Sequence, residues 1–138
     1  MAAPVGAFVM KNALVTIDSV EYANQVRVAR LVPTAEIQTV KTLVPDGVVQ
    51  DVDTPTWTFE LTGLQINRTG GLAKALRAMD TGDTFTVILE PRAGEVGDDR
   101  ATFTAMVVPT PFGGEQGSFA TMELVLPVVG EPAFTTIA

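Results

Sequence analysis

Three glutamates stand inside stretches of strand-like alternation: Glu60 in TWTFELTGLQI, Glu90 in TFTVILE and Glu123 in TMELVL. Two carboxylates facing each other across a cleft are the machinery of glycoside hydrolysis, one giving up a proton while its partner attacks or activates water. Two further clusters, Asp51-x-Asp53 and the Glu95, Asp98, Asp99 group beside Gly94 and Gly97, have the oxygen-rich composition that hard cations favour. Neither has the twelve-residue ligand spacing of a calcium hand. Gly113-Gly114 with Gly117 resembles a phosphate cradle, but a strand pattern follows it rather than a helix, and no lysine is placed to reach a phosphate. The chain has no histidine and no cysteine. That removes the commonest general base, the usual pH switch, thiolate metal sites and disulfides together. The sequence therefore predicts no catalytic residue, no bound metal and no cofactor. The glutamates read as polar-face residues of their strands, the acidic clusters as solvated loops, and the glycines as a wide turn.

The elements that position these residues are mostly strands. Residues 56–66 place Trp57, Phe59 and Leu61 on one face against Thr56, Thr58, Glu60 and Thr62 on the other. Residues 84–90 set Phe85, Val87 and Leu89 against Thr84, Thr86, Ile88 and Glu90, and residues 102–108 set Phe103, Ala105 and Val107 against threonines, Met106 and Val108. Residues 119–126 put Ala120, Met122, Leu124 and Leu126 toward a core and leave Phe119, Thr121, Glu123 and Val125 opposite. Pro91, Pro109 and Pro127 each follow such a run and read as terminators, because proline cannot donate to a ladder. Earlier, ALVTI and VEYANQVRVARLV flank an Asp18-Ser19 turn, and AEIQTVKTLV follows Pro33-Thr34. Pro45-Asp46-Gly47 predicts a turn in which glycine takes the positive φ, opening an extended acidic loop over about 45–54.

One helix is predicted over about 71–80, with Leu72, Ala75, Leu76 and Met79 on its buried face, Thr69 or Gly70 as its cap and Gly82 as its end. The class is mostly β (α+β): β-sandwich or barrel-forming sheets with one flanking helix. A length of 138 residues suits a single domain, 1–138, with a flexible N-terminal segment over 1–12. Residues 1–15 do not read as a secretory signal, since Lys11 follows the apolar stretch and Pro4 interrupts it. No run is long enough to span a membrane, so the chain reads as cytoplasmic where it is made, without membrane insertion. The Asn67-Arg68-Thr69 sequon reads as a chance match in a turn.

Charge is the most informative feature. There are 9 basic and 16 acidic residues, a net of −7. Such a chain does not seek phosphate backbones. No lysine or arginine occurs over residues 52–67, 84–90 or 101–132. Exposed strands normally use lysine to stay soluble and unpaired. Faces of threonine, small apolar residues and glutamate alone are expected to be covered by copies of the same chain.

The order of TPTWTFELTGLQ, GGLAKALRAMDTGD, TFTVILEP and PTPFGGEQGSFATMELVLPVVGEP resembles the major tail tube proteins of long-tailed bacteriophages, from about Leu14 to Pro132. The resemblance implies a non-enzymatic virion protein, assembled in the host cytoplasm, that forms hexameric rings stacked into a hollow tail tube. Genomic DNA then passes through the lumen without specific binding. The tape-measure protein and the tail terminator or baseplate proteins are the partners it implies. It further implies that the stretch containing Pro45, Asp46, Gly47, Asp51 and Asp53 reaches toward the next subunit or ring. Glu123, and secondly Glu60, are candidates to face the lumen, where carboxylates would repel phosphates; the competing place for Glu123 is a subunit contact with Arg27 or Arg77. The tube of a contractile tail or secretion system is a near variant. A monomeric β-sandwich binding module, an adhesin or carbohydrate-binding domain, is the rival from another class. Its mark would be clustered exposed aromatics, whereas the one tryptophan, Trp57, alternates in phase with core residues.

Overall fold

The computed structural model describes residues 6–138, so residues 1–5 of the expected flexible segment lie outside the described residues. Its strands are β1 (Leu14–Ile17), β2 (Val20–Glu21), β3 (Val26–Thr34), β4 (Ile37–Lys41), β5 (Val48–Val52), β6 (Thr56–Leu64), β7 (Thr84–Glu90), β8 (Asp99–Met106) and β9 (Thr121–Thr136), with one short helix, α1 (Leu72–Arg77). Seven strands form a curled antiparallel sheet in the order β2-β1-β7-β8-β9-β6-β3, while among the described residues β4 and β5 pair only with each other. β9 makes the curl possible: residues Thr121–Pro127 pair with β6, and Val128–Thr136 pair with β8. One strand thus belongs to two sheets, the way a sandwich turns a corner.

The sequence placed a strand end at Pro127, and the structure overturns this. Pro127 is the last residue paired to β6 and Val128 the first paired to β8, so the missing N–H falls at the seam between two ladders. Pro132 is accommodated in a bulge between the Val129 and Ala133 pairs, where Gly130 takes φ 75°. Pro33 lies inside β3 for a related reason: among the described residues β3 is the sheet's edge, with one side unpaired. The run 20–32 is likewise two strands separated by a 3-10 turn at Ala23–Gln25. Asp18 and Ser19 both hold positive φ, 51° and 70°, the two-residue turn whose twist suits a hairpin.

The period-2 faces hold except at two strand ends: Trp57 is only half-buried, its ring centroid 6.0 Å from that of Phe134, and Glu90 is buried. Phe59, Leu61, Phe85, Val87, Phe103, Ala105, Met122, Leu124 and Leu126 are buried in one cluster. Phe59 and Phe103 bring the two sheets together, their ring centroids 5.0 Å apart in an edge arrangement. Leu72, Ala73 and Leu76 of α1 join that cluster.

The helix is shorter than expected, Leu72–Arg77, and Met79 lies beyond its end, only partly buried. Past Ala78 the chain is claimed by another partner: Gly82 N–H donates to Val107 O (3.1 Å) and Val107 N–H to Asp83 O (2.8 Å). Its cap also differs. Gly71 stands at the N-cap, and the first helical amide, Leu72 N–H, donates to the side chain of Gln25 at 2.8 Å. A Cβ at Gly71 would collide with the Ile66 carbonyl. Gly63 faces inward, where a Cβ would strike Gln25 O at the bulge that carries Arg27 in β3.

Candidate functional site

The structure turns the acidic stretch after Pro45 into part of a projecting arm. β4 and β5 pair Ile37 with Val52, Gln38 with Asp51, Thr39 with Gln50, Val40 with Val49 and Lys41 with Val48. Residues 48–52, expected as loop, are therefore strand. The sequence missed this because valine, glutamine and aspartate alternate there without a clear apolar face. Every residue of both strands is exposed; Ile37, Val40, Val48, Val49 and Val52 lie between 50% and 68%. An isolated hairpin of this kind is marginal in water.

The arm's tip is nevertheless well built. Thr42 N–H donates to Gly47 O (2.6 Å) and Gly47 N–H to Val44 O (2.9 Å). The expected division of labour in Pro45-Asp46-Gly47 is reversed: Asp46, not Gly47, holds the positive φ, at 67°. Glycine is needed at 47 because a Cβ there would run into the Thr42 side chain. Asp51 and Asp53 do not converge on an ion; each accepts an amide from the next residue, Val52 and Thr54 respectively, at 2.8 Å. No group of three or more acidic side chains is placed to hold a metal among the described residues.

The outer face of β3, β6 and the first half of β9 holds two of the three glutamates. Its rungs are Arg30–Glu60–Val125 and Val28–Thr62–Glu123. Glu60 accepts from Arg30 at 2.6 Å. Glu123 is exposed, and no ion pair forms on it among the described residues. Arg27 lines the same concavity of about 250 Å³ together with Asn24, Gln25 and Thr121. The sequence-level expectation of a face without bases is thus corrected. Read strand by strand, β6 and β9 lack lysine and arginine over this stretch, but β3 lies beside β6 and contributes Arg30.

Glu90 is elsewhere, on β7, and only 3% exposed. It sits 3.3 Å from Arg100 and accepts from Gly94 N–H at 3.3 Å. Its burial under the 91–98 loop was not legible from the alternation, which marks only a strand's two faces. In that loop Arg92 grips Asp98 with two hydrogen bonds, 2.8 and 2.9 Å. The guanidinium holds the Asp98 carboxyl below the ordinary aspartate range and is itself raised. The pair's support is present above the unfolded aspartate value and is lost as pH falls through the depressed one.

A further constellation escaped the sequence altogether. The Gln65 side chain, 7% exposed, accepts from Gly113 N–H (2.7 Å) and donates to Gly113 O (3.2 Å). It also accepts from Asn67 (3.2 Å), Asn67 accepts from Arg77 (3.1 Å), and Arg77 lies 4.7 Å from the Phe112 ring centroid. The 107–120 connection is thereby tied to the helix, with Phe112 and Phe119 exposed at 75% and 87%. Gln65→Leu removes both bonds to Gly113 and should cost ~1–3 kcal/mol. Limited proteolysis should then cut the 109–120 stretch faster than in the parent chain; an unchanged rate would show that other contacts hold it.

No protein-family model matches the chain, and no curated protein matches it. Solved structures do. A subunit described as from the virion of a native gene transfer agent particle matches 94% of this chain and 100% of its own, with 19% identity and a TM-score of 0.68. A second, from the tail of an empty gene transfer agent particle with C6 symmetry, matches 81% of this chain and 83% of its own, with 18% identity and a TM-score of 0.59. Over most of its length the chain is thus similar in fold to protein subunits of gene transfer agent virions and tails.

Proposed function

We propose that this chain is a structural, non-enzymatic subunit of a phage-like tail tube, forming hexameric rings that stack around a lumen through which DNA passes. The observation that carries the reading is the likeness in fold, over nearly the whole chain, to a subunit of a gene transfer agent virion. The C6 symmetry of the second matching particle supports the ring. Two features of the chain itself agree. Among the described residues the sheet ends in unpaired edges at β2 and β3, which closure with neighbouring subunits would remove, and no further strand pairs with the β4–β5 arm. A net charge of −7 suits a conduit that must not bind the polyanion it conducts. On this reading the protein resides in the tail of a virion and meets tape-measure, terminator and baseplate proteins. Negative-stain microscopy of the purified protein tests it. Rings or tubes are expected; dispersed monomers at high concentration would overturn it in favour of a monomeric binding module.

Within this reading Glu123 faces the lumen. Glu60 is paired with Arg30, whereas among the described residues no ion pair forms on Glu123 of the same sheet face. Attraction of one introduced lysine to a phosphate is only ~1 kcal/mol at 4 Å in water, but it repeats around every ring. Particles carrying Glu123→Lys should still build tubes, eject DNA slowly in low salt and recover in high salt. Failure to form tubes would make Glu123 an interface residue beside Arg27. Normal ejection at every salt concentration would place it at neither.

A further inference from the structure

The exposed face of α1 carries Lys74 and Arg77, one helical turn apart, with the exposed Ala78 at its C-cap, opposite the buried Leu72, Ala73 and Leu76. Arg68 precedes the helix, and Arg77 carries the exposed Phe112 on its guanidinium. This surface is therefore basic and aromatic, in a chain whose net charge is −7. Asp80, just past the helix, is the acidic residue closest to it in sequence. The β4–β5 arm has the opposite character. Residues 35–54 contain Glu36, Asp46, Asp51 and Asp53 against Lys41. The register divides these unequally between the arm's faces. Gln38, Asp51, Val40 and Val49 share one face, with an acid and no base, while Lys41 lies on the other with Ile37, Thr39, Val48, Gln50 and Val52.

We propose that the arm docks through its Val40–Val49–Asp51 face onto the Lys74–Arg77–Phe112 surface of a second copy of this chain. The proposal rests on the self-assembly reading above and names the two surfaces that meet. Charge complementarity selects the occupant: the valines find an aromatic ring, and Asp51 finds the exposed bases. Because the two surfaces are different patches, the contact is head-to-tail. Such a contact propagates into rings or stacks rather than closing a pair.

The chain's lack of cysteine makes the test direct. Gln38→Cys on the docking face and Ala78→Cys on the helix are placed in separate chains. These are mixed, allowed to assemble and treated with a short bismaleimide, with products resolved by mass. Adducts joining the arm peptide of one chain to the helix peptide of the other are expected in the sedimenting fraction and not among free subunits. In parallel, Asp51→Lys or Lys74→Glu alone should raise the concentration needed for assembly about fivefold, the scale of one rim ion pair. The two reversals together should restore it. If the parent chain assembles but no arm-to-helix adduct forms, or the double reversal stays as poor as the singles, the docking is wrong and the tube reading stands. If the parent chain does not assemble at any concentration, both fall.

Discussion

A chain in which residues 37–52 are replaced by a short Gly-Ser bridge should fold normally and remain a dispersed subunit. β4 and β5 contribute no side chain to the core cluster, and every residue in them is exposed. Their removal therefore subtracts nothing from the buried apolar area that stabilises the body, and the melting midpoint should stay where it was. Assembly is different. Five β-branched side chains at 50–68% exposure, Val40 and Val49 on the docking face and Ile37, Val48 and Val52 on the opposite one, leave both faces of the arm apolar surface to bury. Burial against a neighbour is worth about 25 cal/mol per Å² of apolar area. Losing that at every subunit of a polymer should abolish it. Sedimentation decides the question: pelleted tubes of normal length would show the arm to be dispensable, and a lowered midpoint would show that it supports the body after all.

Phe59→Ala should cost the subunit ~3–5 kcal/mol, the range for truncating a buried phenylalanine. Single domains are stable by only ~5–15 kcal/mol, so a large share of the total would be lost. Phe59 is fully buried and meets Phe103 edge-on across the two sheets. The cavity would open where the curled sheet packs on itself, at a place held by backbone ladders that cannot collapse into it. Urea unfolding is best measured in the arm-deleted chain, where assembly does not add to apparent stability. A loss below about 1 kcal/mol would mean that the sheets are held together elsewhere.

Much of the fold was legible in the alternation. Trp57, Phe59 and Leu61 against Thr58 and Glu60, and Met122, Leu124 and Leu126 against Glu123, specify which face is buried, because a one-residue slip would reverse every side chain. Composition also determined that histidine and thiol chemistry have no place here, and that the surface is acidic. The pattern could not say which strands lie side by side. Periodicity is local, whereas pairing is a contest between distant segments. Three consequences followed from that contest alone. β9 runs through Pro127 because β6 and β8 hand it over at that residue. Arg30 reaches Glu60 because β3 lies next to β6, so a stretch free of bases in sequence is not a face free of bases in space. Gln65, unremarkable in the chain, ties down Gly113 because the fold buries its amide against the 107–120 connection, and a buried amide must find partners. For β6 to β9 the sequence by itself settled the apolar face that each strand buries; the tertiary structure alone decided what each remaining side chain meets, Glu90 in its buried place included, since that depends on contacts between segments far apart in the chain.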